Sequence, residues 1–198
     1  MTAPEVPTLE GRLVVLRPPE EPDLPWIFDW YNDPETVAPF DRFSLDTFPS
    51  FRHAVETAPG DPRSTAPRFV FERLADRELL GVVGYYEPHP ILETVEVWYV
   101  LGEPSQRGKG FGRDAVGLLV DHLFRDREYE RVGATSDVDN RASVRLLEGL
   151  GFHREGTLRS ALRHHGRWHD AAIYGVTRSD WTEASKSRST IRSPGAGG

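Results

Sequence analysis

The stretch Gln106-Arg107-Gly108-Lys109-Gly110-Phe111-Gly112 decides how the rest of this chain reads. Its three glycines leave a loop with little side-chain bulk, free to take positive φ and to turn several backbone N–H groups toward one anion. After it, Val116, Leu119, Val120, Leu123 and Phe124 recur at the period of an amphipathic helix. Before it, residues 95–101 are a β-branched and aromatic run, which reads as a strand. The unit is strand, glycine loop, helix, with the positive end of the helix pointing where a phosphate would sit. A phosphorylated ligand is expected there.

Spacing narrows the choice of phosphate binder. A Rossmann loop, Gly-x-Gly-x-x-Gly, meets Arg113 at its last position when counted from Gly108, and Ala115 when counted from Gly110. Some variants tolerate alanine there, so this reading is weakened and stays open. A Walker loop needs Ser or Thr after Gly-Lys, where this chain has Gly110, and a glycine where it has Glu103. The pattern that fits throughout is Arg107-x-x-Gly110-x-Gly112.

Composition sets further bounds. A chain of 198 residues, 38% apolar and 28% charged, suits one compact domain. It has no cysteine, which excludes disulfides, thiolate metal sites and a cysteine nucleophile. No apolar run reaches the roughly 20 residues of a membrane span, and the start of the chain lacks a basic segment followed by an apolar one. A cytoplasmic protein is expected. The formal net charge of −7 opposes sequence-independent binding to nucleic acid and favours cationic partners, amines among them.

Along the chain, residues 1–8 read as a loose arm, 9–182 as the folded domain and 183–198 as a disordered basic tail. Within the domain, residues 9–17 read as a first strand and 20–33 as a helix with Leu24, Ile27, Phe28 and Tyr31 on one face. The signal between 35 and 67 is poor, apart from a helix predicted over 46–58. Residues 68–74 and 79–87 read as a hairpin, 93–101 as the central strand and 131–138 as a strand parallel to it, reached through the long helix. Asp139-Asn140 then cap a short helix ending at Gly151, and residues 152–158 and 171–176 form a last pair of strands around a polar turn, 164–169.

On this order of elements stand Arg107-x-x-Gly110-x-Gly112, Asn140-x-x-Ser143, Leu146-Leu147-Glu148-x-Leu150-Gly151-Phe152, Glu155-Gly156, Trp168-His169-Asp170 and Tyr174. Together they resemble the GCN5-related N-acetyltransferase (GNAT) superfamily, in particular the branch that acetylates ribosomal-protein N-termini, and the resemblance covers residues 9–181. It implies an α/β (α+β) fold: a mixed twisted sheet of about seven strands flanked by about four helices, splayed between the fourth and fifth strands. It also implies an acyl-CoA-dependent N-acyltransferase using acetyl-CoA as co-substrate. Its pyrophosphate would lie on the N–H groups of Arg107, Gly108, Lys109, Gly110, Phe111 and Gly112. Asn140 would meet the pantetheine arm, although as a residue it reads first as a helix cap. Ser143 would face the thioester. The splayed central strand, at Trp98, Tyr99 and Val100, would offer unpaired backbone groups to pantetheine and to the thioester carbonyl.

Amine attack on a thioester needs a base for the amine and a donor for the leaving sulfur. Alternation puts Glu96, Trp98 and Val100 on one face of the central strand and Val95, Val97, Tyr99 and Leu101 on the other. Glu96 is the candidate base; a salt-bridged strand residue is the equal alternative. Trp98 stands where relatives carry glycine, which predicts a large ring beside the acyl or acceptor pocket. Many members place a tyrosine acid where this chain has Leu147, so Ser143, with Tyr174 behind it, is the candidate replacement. Trp26, Trp30, Asp29 and Asp33 on the first helix form an aromatic and acidic cluster, and in the family this helix lines the acceptor cleft. His164, His165 and His169 fall in a predicted turn with no zincin glutamate, so no metal is expected. The acceptor is expected to be a small-molecule amine or a protein N-terminus; a homodimer is left open. Two other readings remain: an acyl-CoA-binding module without turnover, and a transferase drawing on aminoacyl-tRNA.

Overall fold

The apolar and β-branched runs of this chain become strands of one sheet. The computed structural model describes residues 6–33, 36, 47–58, 61, 63–64, 66–88, 92 and 94–190. In chain order its elements are β1 (Leu9–Glu10), β2 (Val14–Arg17), α1 (Leu24–Asn32), α2 (Phe48–Thr57), β3 (Phe69–Arg73), β4 (Leu79–Tyr86) and β5 (Thr94–Leu101). Then follow α3 (Phe111–Arg125), β6 (Arg131–Asp137), α4 (Arg141–Leu150), β7 (His153–His164), β8 (Arg167–Thr177) and α5 (Arg178–Thr190). The strands lie in the order β1-β2-β3-β4-β5-β6-β8-β7. Every neighbouring pair is antiparallel except β5 and β6, which α3 connects as a parallel crossover.

This is the expected mixed sheet, with local differences. Among the described residues it has eight strands, not seven, because residues 9–17 fold back at Gly11, whose N–H bonds the carbonyl of Val14 at 2.8 Å. Residues 183–190, expected to be disordered, continue α5. That helix is docked by Trp181, which is buried against Phe124 with 6.2 Å between ring centroids and donates Nε1–H to Asp121 at 2.6 Å. Residues 191–198, Asp46 and the arm at 1–5 lie outside the described residues.

Two apolar layers sandwich the sheet. On one face Val14, Leu16, Phe69, Phe71, Val95 and Val97 pack with Val116, Leu119, Leu123 and Leu147 of α3 and α4. On the other, Val70, Val82 and Val100 pack with Leu24, Ile27 and Trp30 of α1 and Phe51 and Val55 of α2. Each fully buried side chain of this size contributes roughly 1.5–3 kcal/mol.

The sheet opens at its parallel pair. β5 and β6 are registered only at Thr94↔Arg131, Val95↔Val132 and Glu96↔Gly133. Beyond that point β5 stays on β4 and β6 stays on β8. The strands expected to splay, the fourth and fifth before the extra hairpin is counted, are these two.

Candidate active site

A short 3-10 turn, Pro104–Gln106, leads from β5 into the glycine loop, which runs directly into α3. Gly108 has φ +78° and Gly110, the N-cap of α3, has φ +91°. A side chain at either position would cost about 1–2 kcal/mol of backbone strain. A Cβ placed on Gly108 meets nothing within 4 Å, so that side of the loop is open. The first N–H groups of α3 lack intrahelical partners by construction. Lys109 stays at the rim, its ammonium donating to Gln106 Oε1 at 2.8 Å. Loop and helix start together offer N–H donors, positive dipole and a cation to an anion.

The loop is anchored by a residue that the sequence did not single out. Asp114, in the first turn of α3, accepts the backbone N–H groups of Arg12, Leu13 and Val14 at 2.9, 2.7 and 3.2 Å on one carboxylate oxygen. An acidic residue in a first helical turn suits the dipole on its own. Its actual partners are about a hundred residues away in sequence, which hides them from any local reading.

Asn140 is the N-cap of α4, its side-chain oxygen accepting the N–H of Ser143 at 3.1 Å. That cap sets Ser143 on the first turn, where its Oγ lies 2.7 Å from the hydroxyl of Tyr99 on β5. Burial pushes the Tyr99 hydroxyl up to about 12, with the Ser143 bond pulling the other way, so this hydroxyl pair stays protonated at neutral pH. Tyr174 lies on the same side of the sheet but is 1% exposed, and its hydroxyl donates to Glu148 Oε1 at 3.3 Å instead of to Ser143. Burial first, and Glu148 after it, raise its titration. Leu147, at the position of the family tyrosine, is wholly buried core.

Glu96 occupies the other face of β5, at the last register pair before the strands part. It accepts the Tyr86 hydroxyl at 2.8 Å. Trp98 shares its face, but its ring lies over Gly84 of β4, where an added Cβ would come within 2.5 Å of the indole. It also meets Tyr31 of α1 at 6.5 Å. The ring therefore leans toward β4, because Gly84 leaves room for it there. Val100 is buried against α1 and α2. The tryptophans of α1 part company: Trp30 is buried, while Trp26 is 59% exposed.

The site residues thus fall into two groups: Tyr99, Ser143, Asn140 and the glycine loop on the α3–α4 side, Glu96 and Trp98 on the α1–α2 side. Glu155, part of the Glu-Gly motif, is paired with Arg131 of β6, and that guanidinium holds its carboxyl below the usual range. The turn predicted over 164–169 shrinks to His165 and Gly166, leaving His164 and His169 on strands.

Residues 13–153 match the family model of the acetyltransferase (GNAT) domain, and the chain belongs to that family, whose members transfer an acyl group from a CoA thioester to an amine. It is 25% identical over 173 residues to the uncharacterized N-acetyltransferase YoaA of Bacillus subtilis strain 168, a match covering 87% of this chain and 97% of YoaA. It is 28% identical over 108 residues to the [ribosomal protein uS5]-alanine N-acetyltransferase of Escherichia coli K12, covering 54% of this chain and 55% of that enzyme. Among solved structures, the spermidine N-acetyltransferase from Vibrio cholerae in complex with CoA and spermine shares the fold, with a TM-score of 0.75 at 24% identity over 86% of this chain and 98% of that one.

Proposed function

We propose that this chain moves an acetyl group from acetyl-CoA to a primary amine, of a small molecule or of a protein N-terminus, by direct attack and without a covalent enzyme intermediate. The observation that carries the reading is the β5–β6 gap, with a carboxylate on one face and a pair of protonated hydroxyls on the other. A pantetheine arm entering from the glycine loop past Asn140 brings the thioester between them.

Glu96 takes the proton of the acceptor ammonium, directly or through water. The freed amine attacks the thioester carbon, and backbone N–H groups that the splay leaves unpaired around Trp98, Tyr99 and Val100 stabilise the oxyanion. When the C–S bond breaks, Ser143 donates its hydroxyl proton to the departing thiolate and is reprotonated by Tyr99, while the second proton shed by the new amide nitrogen passes through water to restore the Tyr99 phenol. Tyr174 stands one step further back. The acceptors in the relatives' names are a ribosomal-protein alanine and a polyamine. The net charge of −7 favours a small cationic amine, and a cytoplasmic setting fits both.

Calorimetric titration with acetyl-CoA, longer acyl-CoAs and dephospho-CoA, beside a Gly110→Glu variant, tests the donor site. Micromolar binding abolished in the variant is expected; no binding of any CoA by the wild type sinks the reading. Turnover is followed as thiol release on adding amines, with no background from a chain that lacks cysteine.

A further inference from the structure

The acyl-transfer reading leaves a buried polar cluster beside the β7–β8 hairpin unused. Asp137 ends β6 and is 2% exposed, His164 ends β7 and is 7% exposed, and His169 lies near the start of β8. Register brings them together: Asp137 pairs with Ala171, two residues from His169, and His169 pairs with Leu162, two residues from His164. Steps of two keep all three on one face.

His164 Nε2 is in short contact with Asp137 Oδ2. His169 Nδ1 lies 3.3 Å from the same oxygen and 3.8 Å from Oδ2 of Asp139. The imidazoles stack at 3.6 Å and 21°. Asp137 has one backbone donor, the Asp139 N–H at 2.7 Å, and no lysine or arginine pairs with it among the described residues. A carboxylate so deeply buried needs a cation beside it. Nε2 of His164 and Nδ1 of His169 are thus the nitrogens turned to the carboxylates, while Nδ1 of His164 and Nε2 of His169 are buried without a hydrogen-bond partner among the described residues.

Two imidazoles and a carboxylate are donors for Zn²⁺ and its transition-metal neighbours, whereas Mg²⁺ and Ca²⁺ prefer all-oxygen shells. The 3.3 and 3.8 Å separations of His169 Nδ1 from the two carboxylates bracket the roughly 3.4 Å between donors of a tetrahedron with bonds of about 2.1 Å, and the closer His164–Asp137 contact widens to that span when an ion enters. We propose that Asp137, His164 and His169 bind one transition-metal dication, Zn²⁺ foremost, with Asp139 at the adjoining turn as fourth donor. Closing the shell opens the ring stack by a turn of His169 about χ2, a broad and soft torsion. The ion ties the β7–β8 hairpin to the turn before α4, because the Asp137 carbonyl accepts the Asn140 N–H at 3.1 Å. Its role is to hold the helix start that carries Ser143 in place relative to the hairpin. The expectation of no metal came from placing the histidines in a turn, where their side chains do not converge.

The test uses tag-free chain stripped with a chelator and titrated with ZnCl₂ and CoCl₂, with MgCl₂ as control, and needs neither acetyl-CoA nor acceptor. One Zn²⁺ per chain is expected, with Co²⁺ giving the intense visible bands of a four-coordinate shell. A His164→Gln/His169→Gln double variant loses both signals, and each single variant weakens Zn²⁺ by more than about tenfold. Circular dichroism and a cooperative urea transition report that the variants are folded. Absence of Zn²⁺ binding by the wild type overturns the proposal, as does binding unchanged in the double variant. A histidine pair that merely titrates with pH, seen by NMR without metal uptake, overturns it too and makes a proton the counter-cation.

Discussion

The hydroxyl of Tyr99 on β5 lies 2.7 Å from the hydroxyl of Ser143 on α4. One partner is placed by strand alternation and the other by the Asn140 cap, so the pair exists only where helix and sheet meet. Ser143→Ala is expected to lower kcat by roughly 10²-fold, the low end of general-acid effects, with acetyl-CoA affinity little changed. Tyr99→Phe loses less, since Ser143 keeps its own proton. Steady-state kinetics beside calorimetry check this, and a Ser143→Ala variant with wild-type kcat removes the serine from the mechanism.

Asp114 joins the turn between β1 and β2 to the start of α3 through three N–H groups. Hydrogen bonds to a charged acceptor contribute about 1.5–3 kcal/mol each when buried, and less at this partly exposed turn. Asp114→Ala is expected to destabilise the chain by about 2–3 kcal/mol in urea unfolding. It should also loosen CoA binding, because the helix start carries the loop. An unchanged midpoint would show the turn to be held by other contacts.

Trp98 rests on Gly84, and a methyl group there would come within 2.5 Å of its ring. Gly84→Ala is therefore expected to cost roughly 1–3 kcal/mol by overpacking. Trp98→Ala in the same chain should restore part of that loss. The double-mutant cycle measures the coupling, and additive effects would contradict the seating of the ring.

Tyr31, Tyr99, Tyr129 and Tyr174 all have their titration raised, with burial as the first cause in each. The folded chain holds protons that the unfolded chain releases around the ordinary tyrosine value of 10.0. Their contribution to stability is complete below that pH and is lost as pH climbs toward the value of about 12 for Tyr99. Urea midpoints measured at neutral pH and across this window should fall, with tyrosinate absorbance from these residues appearing together with unfolding. Full tyrosinate absorbance from a folded chain would refute it.

Much of the fold was legible because its signals are local. The glycine loop, the apolar period of α3, the Asn140 cap and the alternation of Glu96, Trp98 and Val100 each lie within about a dozen residues, within reach of period and cap rules. The double strand at residues 9–17 and the helical continuation to Thr190 were not legible, because a turn bond at Gly11 and the docking of Trp181 decide them. Residues 164–169 misled for a related reason: polar composition reads as loop, yet pairing with β8 carries β7 on to His164.

By itself the sequence determined the class of fold, the glycine loop at the start of α3 and which residues share each face of β5, since these follow from backbone chemistry and a side-chain period of two. Tertiary structure alone decided where β5 and β6 part, that Tyr99 reaches Ser143 while Tyr174 is held by Glu148, and that Asp137, His164 and His169 meet. Those outcomes depend on register between strands and helices far apart in the chain. A shift of one residue would turn every side chain of a strand to the opposite face, and only the packing of the whole sheet selects among registers.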